Sequence, residues 1–386
     1  MEKIPPWKEA ATLIIAARVT LKELVGVSLA NALSSSKSTT GQSRCDYRLL
    51  MVKRSNLSSF MANAFVFPGG KAEIKDFSPN WWEVFSRQGI TKHDIEKFCS
   101  KVTGPRPDMI IKSSTLKYSN VKNTENYLPP DVALRISAIR ETFEETGISI
   151  LTRSSIRSDD DSSSILDGID IKGWRDKIRK DPLSFVDFCL EANVCPDIWT
   201  LHEWWDWLTP TSVGHKRYDT MFYICCLDKQ PSVILDQSEV ITYRWGTPEE
   251  FLEEHCVNAA FLAPPQVYEL SRLIHFKNYQ MLQKFVRYRS VKGVERWLPV
   301  LCSCKDGALS LLPGDDMYPK KPDYIGKAPG KDLPKTVEEV RQSCQQLHRM
   351  EICGPSCTTY SNIVPQCSHL QPKTYRPSQP IVQSFL

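Results

Sequence analysis

Residues 131–148, D-V-A-L-R-I-S-A-I-R-E-T-F-E-E-T-G-I, constrain the fold of this chain more than any other stretch. Apolar side chains recur there at helical spacing and predict a helix with one buried face: Val132, Ile136, Ile139 and Phe143. Asp131 is a residue type that caps helix N-termini, and Gly147 suits a left-handed C-terminal cap. The pattern therefore predicts a core helix between Asp131 and Gly147.

Three carboxylates occupy the opposite face of this helix, at positions i, i+3 and i+4: Glu141, Glu144 and Glu145. Carboxylates this close repel one another, and a divalent cation removes the repulsion because Mg²⁺ and Mn²⁺ prefer oxygen ligands. Taken alone, the spacing is more typical of a solvated acidic surface. A second motif, upstream in the chain, favours a metal site instead.

Upstream, the glycine pair Gly69–Gly70 follows an apolar run and lets the backbone turn sharply and approach a ligand closely. Together, this turn and the acidic helix resemble the two halves of the Nudix box, G-x5-E-x7-R-E-U-x-E-E-x-G-U, where U is bulky and apolar. The matching positions are Gly70, Arg140, Glu141, Glu144, Glu145, Gly147 and Ile148. The chain thus resembles the Nudix hydrolases, enzymes that split a diphosphate joined to another moiety.

The chain departs from the family pattern at three places. Asp76 replaces the upstream Glu, Thr142 replaces the first bulky apolar residue, and residues 77–139 replace a gap of seven. The pairing of the two halves of the box is therefore a prediction about the fold.

The resemblance implies an α/β (α+β) fold, a Nudix-type α/β/α sandwich with a mixed sheet and a helical C-terminal extension. The expected domain is 7–318, with an insertion at 77–130 and a mobile loop at 152–166. Residues 319–386 are rich in Pro, Lys, Gln and Ser and are expected to form a tail that is poorly ordered in part. We expect the insertion to be a lid or a substrate-side wall, the alternative being an excursion without function.

Local patterns place further elements along the chain. Strands are predicted at 8–18, 47–53, 216–227 and 240–245, with a hairpin at 297–302 and 308–312. A capping box at Thr247–Glu250 begins a helix, and further helices are predicted at 266–276 and 279–288. Four tryptophans within 196–210 predict a core layer, the alternative being a stacking surface for adenine or an acyl group.

Charge and cysteine content limit the possible classes. The net charge of +4 over 386 residues favours neither a nucleic-acid binder nor a membrane-surface protein. No apolar run approaches the roughly 18 residues that a membrane span needs. Thirteen cysteines without secreted spacing predict free thiols in a reducing compartment, and the N-terminus lacks the composition of a cleaved targeting sequence.

Flanking segments resemble the animal acyl-coenzyme A diphosphatases of the same family. Residues 50–55 fall in register with the first half of a coenzyme A signature, although Ser59 and Asn63 replace its second Arg and its Gly. Similar stretches are 197–210, 217–227, 293–299 and 311–315. The resemblance implies a peroxisomal enzyme that splits coenzyme A and its acyl esters into 3′,5′-ADP and 4′-phosphopantetheine or its acyl form. We expect the protein to be a monomer.

Within this interpretation, Glu141, Glu144 and Glu145 hold Mg²⁺ (or Mn²⁺), and the Gly69–Gly70 backbone completes the phosphate cradle. Arg140 is expected to hold a neighbouring carboxylate in place, or else to touch phosphate.

For three further residues the sequence leaves two possible roles open. Glu239 is a reserve base or an extra ligand, or else a capping or surface residue. Arg54 and Arg217 bind the 3′-phosphate of coenzyme A, or else form surface ion pairs.

Other functions stay open at this point. An enzyme of the same family would instead split ADP-ribose, an NAD-type dinucleotide or another nucleotide sugar and release AMP. A non-catalytic nucleotide-binding scaffold would keep the fold without turnover.

Ser384–Phe385–Leu386 resembles the S-K-L type of peroxisomal address, which an import receptor reads. Without import, the expected location is cytosolic or mitochondrial.

Overall fold

The computed structural model describes residues 5–19, 45–58, 61–121, 123–153, 170–214, 216–235, 239–326, 330–354 and 356–375. The loop predicted at 152–166 lies outside these stretches from residue 154 onward, as does the tripeptide at 384–386. No helix within them is both long enough and apolar enough to cross a bilayer. All thirteen cysteines carry free thiols, as predicted.

The strands in chain order are β1 (Lys8–Arg18), β2 (Tyr47–Arg54), β3 (Ala64–Val66), β4 (Gly69–Lys71), β5 (Leu151–Thr152), β6 (Cys195–Pro196), β7 (His202–Leu208), β8 (Tyr218–Leu227), β9 (Val240–Gly246), β10 (Phe261–Leu262), β11 (Arg296–Trp297), β12 (Val300–Cys304), β13 (Gly307–Leu311), β14 (Lys331–Asp332), β15 (His348–Cys353) and β16 (Ser356–Ser361). The helices are α1 (Trp81–Arg87), α2 (Lys92–Cys99), α3 (Asp108–Ile111), α4 (Ser114–Lys117), α5 (Pro130–Thr146), α6 (Ile171–Lys180), α7 (Ser184–Glu191), α8 (Pro248–Cys256), α9 (Pro264–Leu273), α10 (Tyr279–Ser290) and α11 (Val337–Gln342). The predicted strands, helices and capping box are confirmed to within a few residues.

A nine-stranded mixed sheet forms the centre of the molecule, in the order β10-β3-β2-β1-β8-β7-β11, with β4 paired to β1 and β9 to β2. β1 runs parallel to β8 and antiparallel to β2 and β4. Because β1 is central, it is buried along almost its whole length, which explains its continuous apolar sequence. Helices α5 and α10 pack on this sheet. The predicted α/β/α architecture with a mixed sheet is confirmed.

Helix α5 is the predicted acidic helix, and it packs on β1 and β4. It ends in a left-handed cap at Gly147, where φ is 72°. The predicted cap at Asp131 is wrong: Pro129 is the N-cap and Pro130 opens the helix, where a missing N–H costs nothing. Asp131 is instead buried and paired with Arg135 and, at 2.9 Å, with Arg106.

The insertion at 77–130 departs from the expectation of a lid. Its helices α2 and α3 pack on α5, and Arg106 reaches the first turn of α5 at Asp131. That turn lies roughly 15 Å along the axis from Glu141, at about 1.5 Å per residue. The described part of the insertion therefore supports the N-terminal half of the helix, away from the glutamates.

A second sheet corrects the expectation of a partly ordered tail. The predicted hairpin, β12 and β13, continues into strands from beyond residue 318, in the order β14-β12-β13-β15-β16. A buried ion pair between Arg349 and Asp315 at 2.6 Å crosses the expected boundary at 318. Strands β14, β15 and β16, which lie within the expected tail, are thus part of an ordered sheet.

Helix α9 connects the two sheets. Glu269 accepts hydrogen bonds from the indole nitrogens of Trp204 and Trp207 on β7, at 2.7 and 2.8 Å. On the other side, the Tyr268 hydroxyl lies 2.7 Å from Nε2 of His348 on β15. Three of the four tryptophans predicted to form a core layer are buried, Trp204, Trp205 and Trp207, whereas Trp199 is half-buried.

Candidate active site

The two halves of the motif meet through Arg140 and Asp76. Arg140 Nε and Nη2 donate to the two oxygens of Asp76 at 2.8 and 2.9 Å, which is a bidentate ion pair buried from solvent. Arg140 Nη2 also donates to the Lys71 carbonyl at 3.2 Å, just after the glycine turn. Asp76 and Arg140 thus meet although 63 residues separate them in the sequence, where the family pattern has seven.

 Those intervening residues, 77–139, comprise the insertion and the first part of α5, so the motif is split in sequence but joined in space.

Arg140 also holds two of the three glutamates. Its Nη1 donates to Glu141 at 2.9 Å and to Glu144 at 2.7 Å, while the guanidinium itself is buried. Burial raises the pKa of Glu141 to about 7, although Arg140 counteracts part of that shift. In this geometry Arg140 orients carboxylates, which is the first of the two roles considered for it.

Glu145 is held by the glycine turn. The Gly69 N–H donates to Glu145 Oε2 at 3.1 Å, and the carboxylate is buried. Burial is the main reason that its pKa rises to about 8, and the charge on Glu141 adds to the effect. The backbone hydrogen bond from Gly69 and the nearby Arg54 act in the opposite direction.

The glycine pair is required by close packing on two sides. Gly69 has φ 150°, and a Cβ there would collide with the β1 backbone at Ala11 and Thr12. A Cβ on Gly70 would overlap the Glu141 carboxylate. Gly69 and Gly70 were expected at a turn but form strand β4, which brings its backbone directly against the acidic face of α5.

The donor chemistry of this site fits a divalent cation. Buried carboxylates with raised pKa values lie beside one another, and a cation would compensate the charge that burial disfavours. Within the described residues, no three His, Cys, Asp or Glu side chains are arranged as a ready ligand set. Arg140 holds Glu141 and Glu144, and Gly69 holds Glu145, so these oxygens are engaged within the protein.

A cleft of about 440 Å³ opens beside the carboxylates. At this end it is lined by Arg54, Gly69, Gly70, Glu141 and Glu239. Glu239 is exposed to solvent, and its charge contributes to the raised pKa of Glu145, which places it close to that carboxylate. The structure therefore brings Arg54 and Glu239 to the predicted site.

Arg217 lies elsewhere. It is buried, and its Nε and Nη1 donate to the carbonyl oxygens of Thr209 and Tyr324 at 2.9 and 2.7 Å. It does not line the cleft, so neither the predicted phosphate contact nor the alternative of a surface ion pair describes its position.

The far wall of the cleft was not predicted from the sequence. That wall comes from β7, from the start of α9 and from the second sheet; it includes Trp207, Pro264, Gln266, Leu301, Ser310 and Ile352. The only signals in the sequence were the tryptophan cluster and the proline pair before Gln266, and neither pointed to a cleft. The remaining wall residues come from a segment that was expected to be a tail or a closing hairpin.

Comparisons with known proteins agree with this geometry. A family model described as the NUDT19 Nudix domain matches residues 7–273, and one described as the NUDT19 C-terminal domain matches residues 301–362. Proteins called acyl-coenzyme A diphosphatase NUDT19 are similar over 95% of this chain: that of Xenopus laevis is 39% identical, that of Gallus gallus 35% and that of Homo sapiens 33%. The matches cover 96%, 94% and 95% of those proteins, respectively.

Proposed function

Because the chain belongs to the NUDT19 family of Nudix hydrolases, we propose that it hydrolyses the diphosphate of coenzyme A and of its acyl esters. The products are 3′,5′-ADP and 4′-phosphopantetheine, or acyl-4′-phosphopantetheine when the substrate carries an acyl group. The observation that carries the proposal is the similarity to acyl-coenzyme A diphosphatases along nearly the whole chain. The buried carboxylates at the end of an open cleft support it.

Nudix hydrolases generally require a divalent metal ion. In this chain Glu141, Glu144 and Glu145 would hold it, and Mg²⁺ or Mn²⁺ is the ion that we propose. When bound, the ion offsets phosphate charge and lowers the pKa of a coordinated water.

The other residues of the site have positioning roles in this proposal. Arg140, fixed by Asp76, keeps Glu141 and Glu144 oriented toward one face of α5. The Gly69–Gly70 backbone lets the diphosphate approach the carboxylates, because no side chain intervenes. Arg54 binds a phosphate group of the substrate, and Glu239 accepts a proton from the attacking water or acts as a further ligand.

Product analysis tests the proposal. The full-length chain is incubated with Mg²⁺ and with coenzyme A, an acyl-coenzyme A or ADP-ribose, and the products are separated and weighed by mass spectrometry. Release of 3′,5′-ADP from the first two substrates is the expected result. Preferential release of AMP from ADP-ribose would instead establish the rival diphosphatase, and no turnover of any substrate would favour a binding scaffold.

We also propose import into peroxisomes through Ser384–Phe385–Leu386, which lie outside the described residues. The last twelve residues, fused to a fluorescent protein, are expected to carry it into peroxisomes. Diffuse fluorescence, unchanged when Leu386 is removed from the fusion, would contradict this address.

A further inference from the structure

One buried polar group in the cleft has no role in the machinery described above. Gln266 lines the cleft in the first turn of α9, is 7% exposed, and its Oε1 accepts no hydrogen bond from any described residue. A buried amide oxygen without a donor costs about 1–3 kcal/mol. A bound ligand that donates a hydrogen bond to this oxygen removes that cost.

The wall that Gln266 shares is largely apolar, and part of it comes from the second sheet. Leu301 on β12 and Ile352 on β15 line it with partly exposed side chains, together with Trp207 and Leu208 on β7. Pro299 adds a further apolar surface. This wall suits an uncharged chain.

The charges of the lining are distributed unevenly. Among the described lining residues, the cations are Arg54 and Lys71, and both lie by the glycine turn and the carboxylates. The 3′-phosphate of coenzyme A is strongly anionic and requires cations, so the apolar wall does not suit the nucleotide half of the substrate. The pantetheine half is uncharged and contains two amide N–H donors.

We propose that the apolar end of the cleft binds the pantetheine arm and the acyl chain, and that Gln266 Oε1 accepts a hydrogen bond from a pantetheine amide. Leu301 and Ile352 contact the acyl chain, so the second sheet determines which acyl lengths are accepted. This inference rests on the proposed function and assigns its substrate specificity to named residues.

The first test removes the hydrogen bond without changing the size of the side chain. In the full-length protein with Mg²⁺, Gln266→Leu is expected to raise KM for coenzyme A about 10-fold, with kcat changed much less, because the lost contact is made equally in ground and transition states. A purely structural role would lower kcat and the thermal midpoint instead. An unchanged KM, or that structural pattern, would overturn the assignment of Gln266.

The second test narrows the cleft at its apolar wall. Ile352→Trp is expected to raise the KM for palmitoyl-coenzyme A relative to that for coenzyme A by about 10-fold or more, since a filled channel excludes the long chain. Leu301→Trp is the second variant if the first does not fold. The matched control is Ile325→Trp, an exposed isoleucine outside the cleft, which is expected to leave that ratio unchanged.

The outcomes separate this inference from the proposed function. If the wild-type protein splits coenzyme A but the wall variants keep its acyl-length preference, only the acyl assignment fails. If the wild-type protein splits ADP-ribose and not coenzyme A, the proposed function fails, and the inference fails with it.

Discussion

Arg140 is surrounded by carboxylates on three sides, and its own burial depends on them. Desolvation disfavours the guanidinium charge, but Asp76, Glu141 and Glu144 more than compensate, so the pKa of Arg140 lies well above its usual range. The same residue keeps two glutamates from adopting other rotamers. Charge balance and orientation of the site therefore depend on one side chain.

Glu145 provides the sharpest test at the scale of a single residue. Glu145→Gln is expected to lower metal-dependent turnover of coenzyme A by about 100-fold or more, because ligands matter at least as much as the partners that orient them. The thermal midpoint should change little, since a glutamine oxygen can still accept the hydrogen bond from Gly69. Steady-state kinetics and thermal unfolding measure the two effects.

Glu125→Gln, at an exposed position, is the matched control and is expected to behave as wild type. Normal activity in Glu145→Gln would show that this carboxylate is not a ligand.

At the scale of elements, the contact between β4 and α5 determines how close a substrate can come to the carboxylates. Gly70→Ala is expected to lower kcat/KM by about 100-fold, because its Cβ would displace the Glu141 carboxylate and small displacements at a reacting centre are costly. The φ of Gly70 is not in the left-handed region, so the substitution adds no backbone strain.

Gly330→Ala is the control for this prediction, since nothing lies within 4 Å of the position that its Cβ would occupy. Equal kinetics of Gly70→Ala and wild type would mean that Glu141 can move without loss.

The pairing of β7 with β8 buries a second acidic group. Burial, reinforced by the charge on Asp219, raises the pKa of Asp206 well above its usual range. Above a pH of about 4 the unfolded state releases the proton of Asp206, whereas the folded state keeps it. The free energy of unfolding therefore falls as the pH rises above about 4. Asp206→Asn cannot titrate, and its thermal midpoint is expected to fall less between pH 5 and pH 8 than that of wild type.

Asp332→Asn, on the exposed strand β14, serves as the comparison and should follow the wild-type pH profile. A steeper loss of stability in Asp206→Asn than in wild type would contradict the assigned direction of the pKa shift.

The glycine pair was expected at a turn, whereas Gly69–Lys71 forms strand β4. The sequence was enough to predict the long strands of the main sheet and the acidic helix. Each of these depends on local signals, such as the apolar run of β1 or the stripe on α5. The cap at Asp131 was wrong because a buried ion pair with Arg106 competes with capping. Of the second sheet only the hairpin β12–β13 was predicted, because the residues between β13 and β15 resemble a polar tail.

The site could be predicted only in part, for a related reason. The motif located Glu141, Glu144 and Glu145, but no local pattern reveals that Gln266 and Ile352 line the same cleft. The predicted phosphate contact of Arg217 could not be tested on the sequence. A basic residue before a strand can contact a ligand or, as Arg217 does, donate to buried carbonyl oxygens.

At the scale of the whole molecule, α9 couples the second sheet to the first. Tyr268→Phe removes the hydroxyl that contacts His348, leaves a buried ring nitrogen without that partner and is expected to lower the free energy of unfolding by about 1–3 kcal/mol. Urea unfolding followed by tryptophan fluorescence measures the change, because Trp207 and Trp297 pack around Tyr268.

Tyr288→Phe, at an exposed tyrosine, is the control and should unfold with the wild type. An unchanged urea midpoint for Tyr268→Phe would show that the sheets are coupled by other contacts.

The parallel pairing of β1 with β8 also determines when the protein can first become active. Lys8 pairs with Tyr218, so the centre of the sheet forms only after more than half of the chain has left the ribosome. The lining of the cleft is completed later still, when Ile352 on β15 has been synthesised. At ordinary rates of synthesis this is roughly 10 to 40 s after Glu141. A nascent chain thus passes through a long interval in which its acidic helix has been synthesised and part of the cleft has not. Any activity that needs the whole cleft begins only when synthesis is nearly finished.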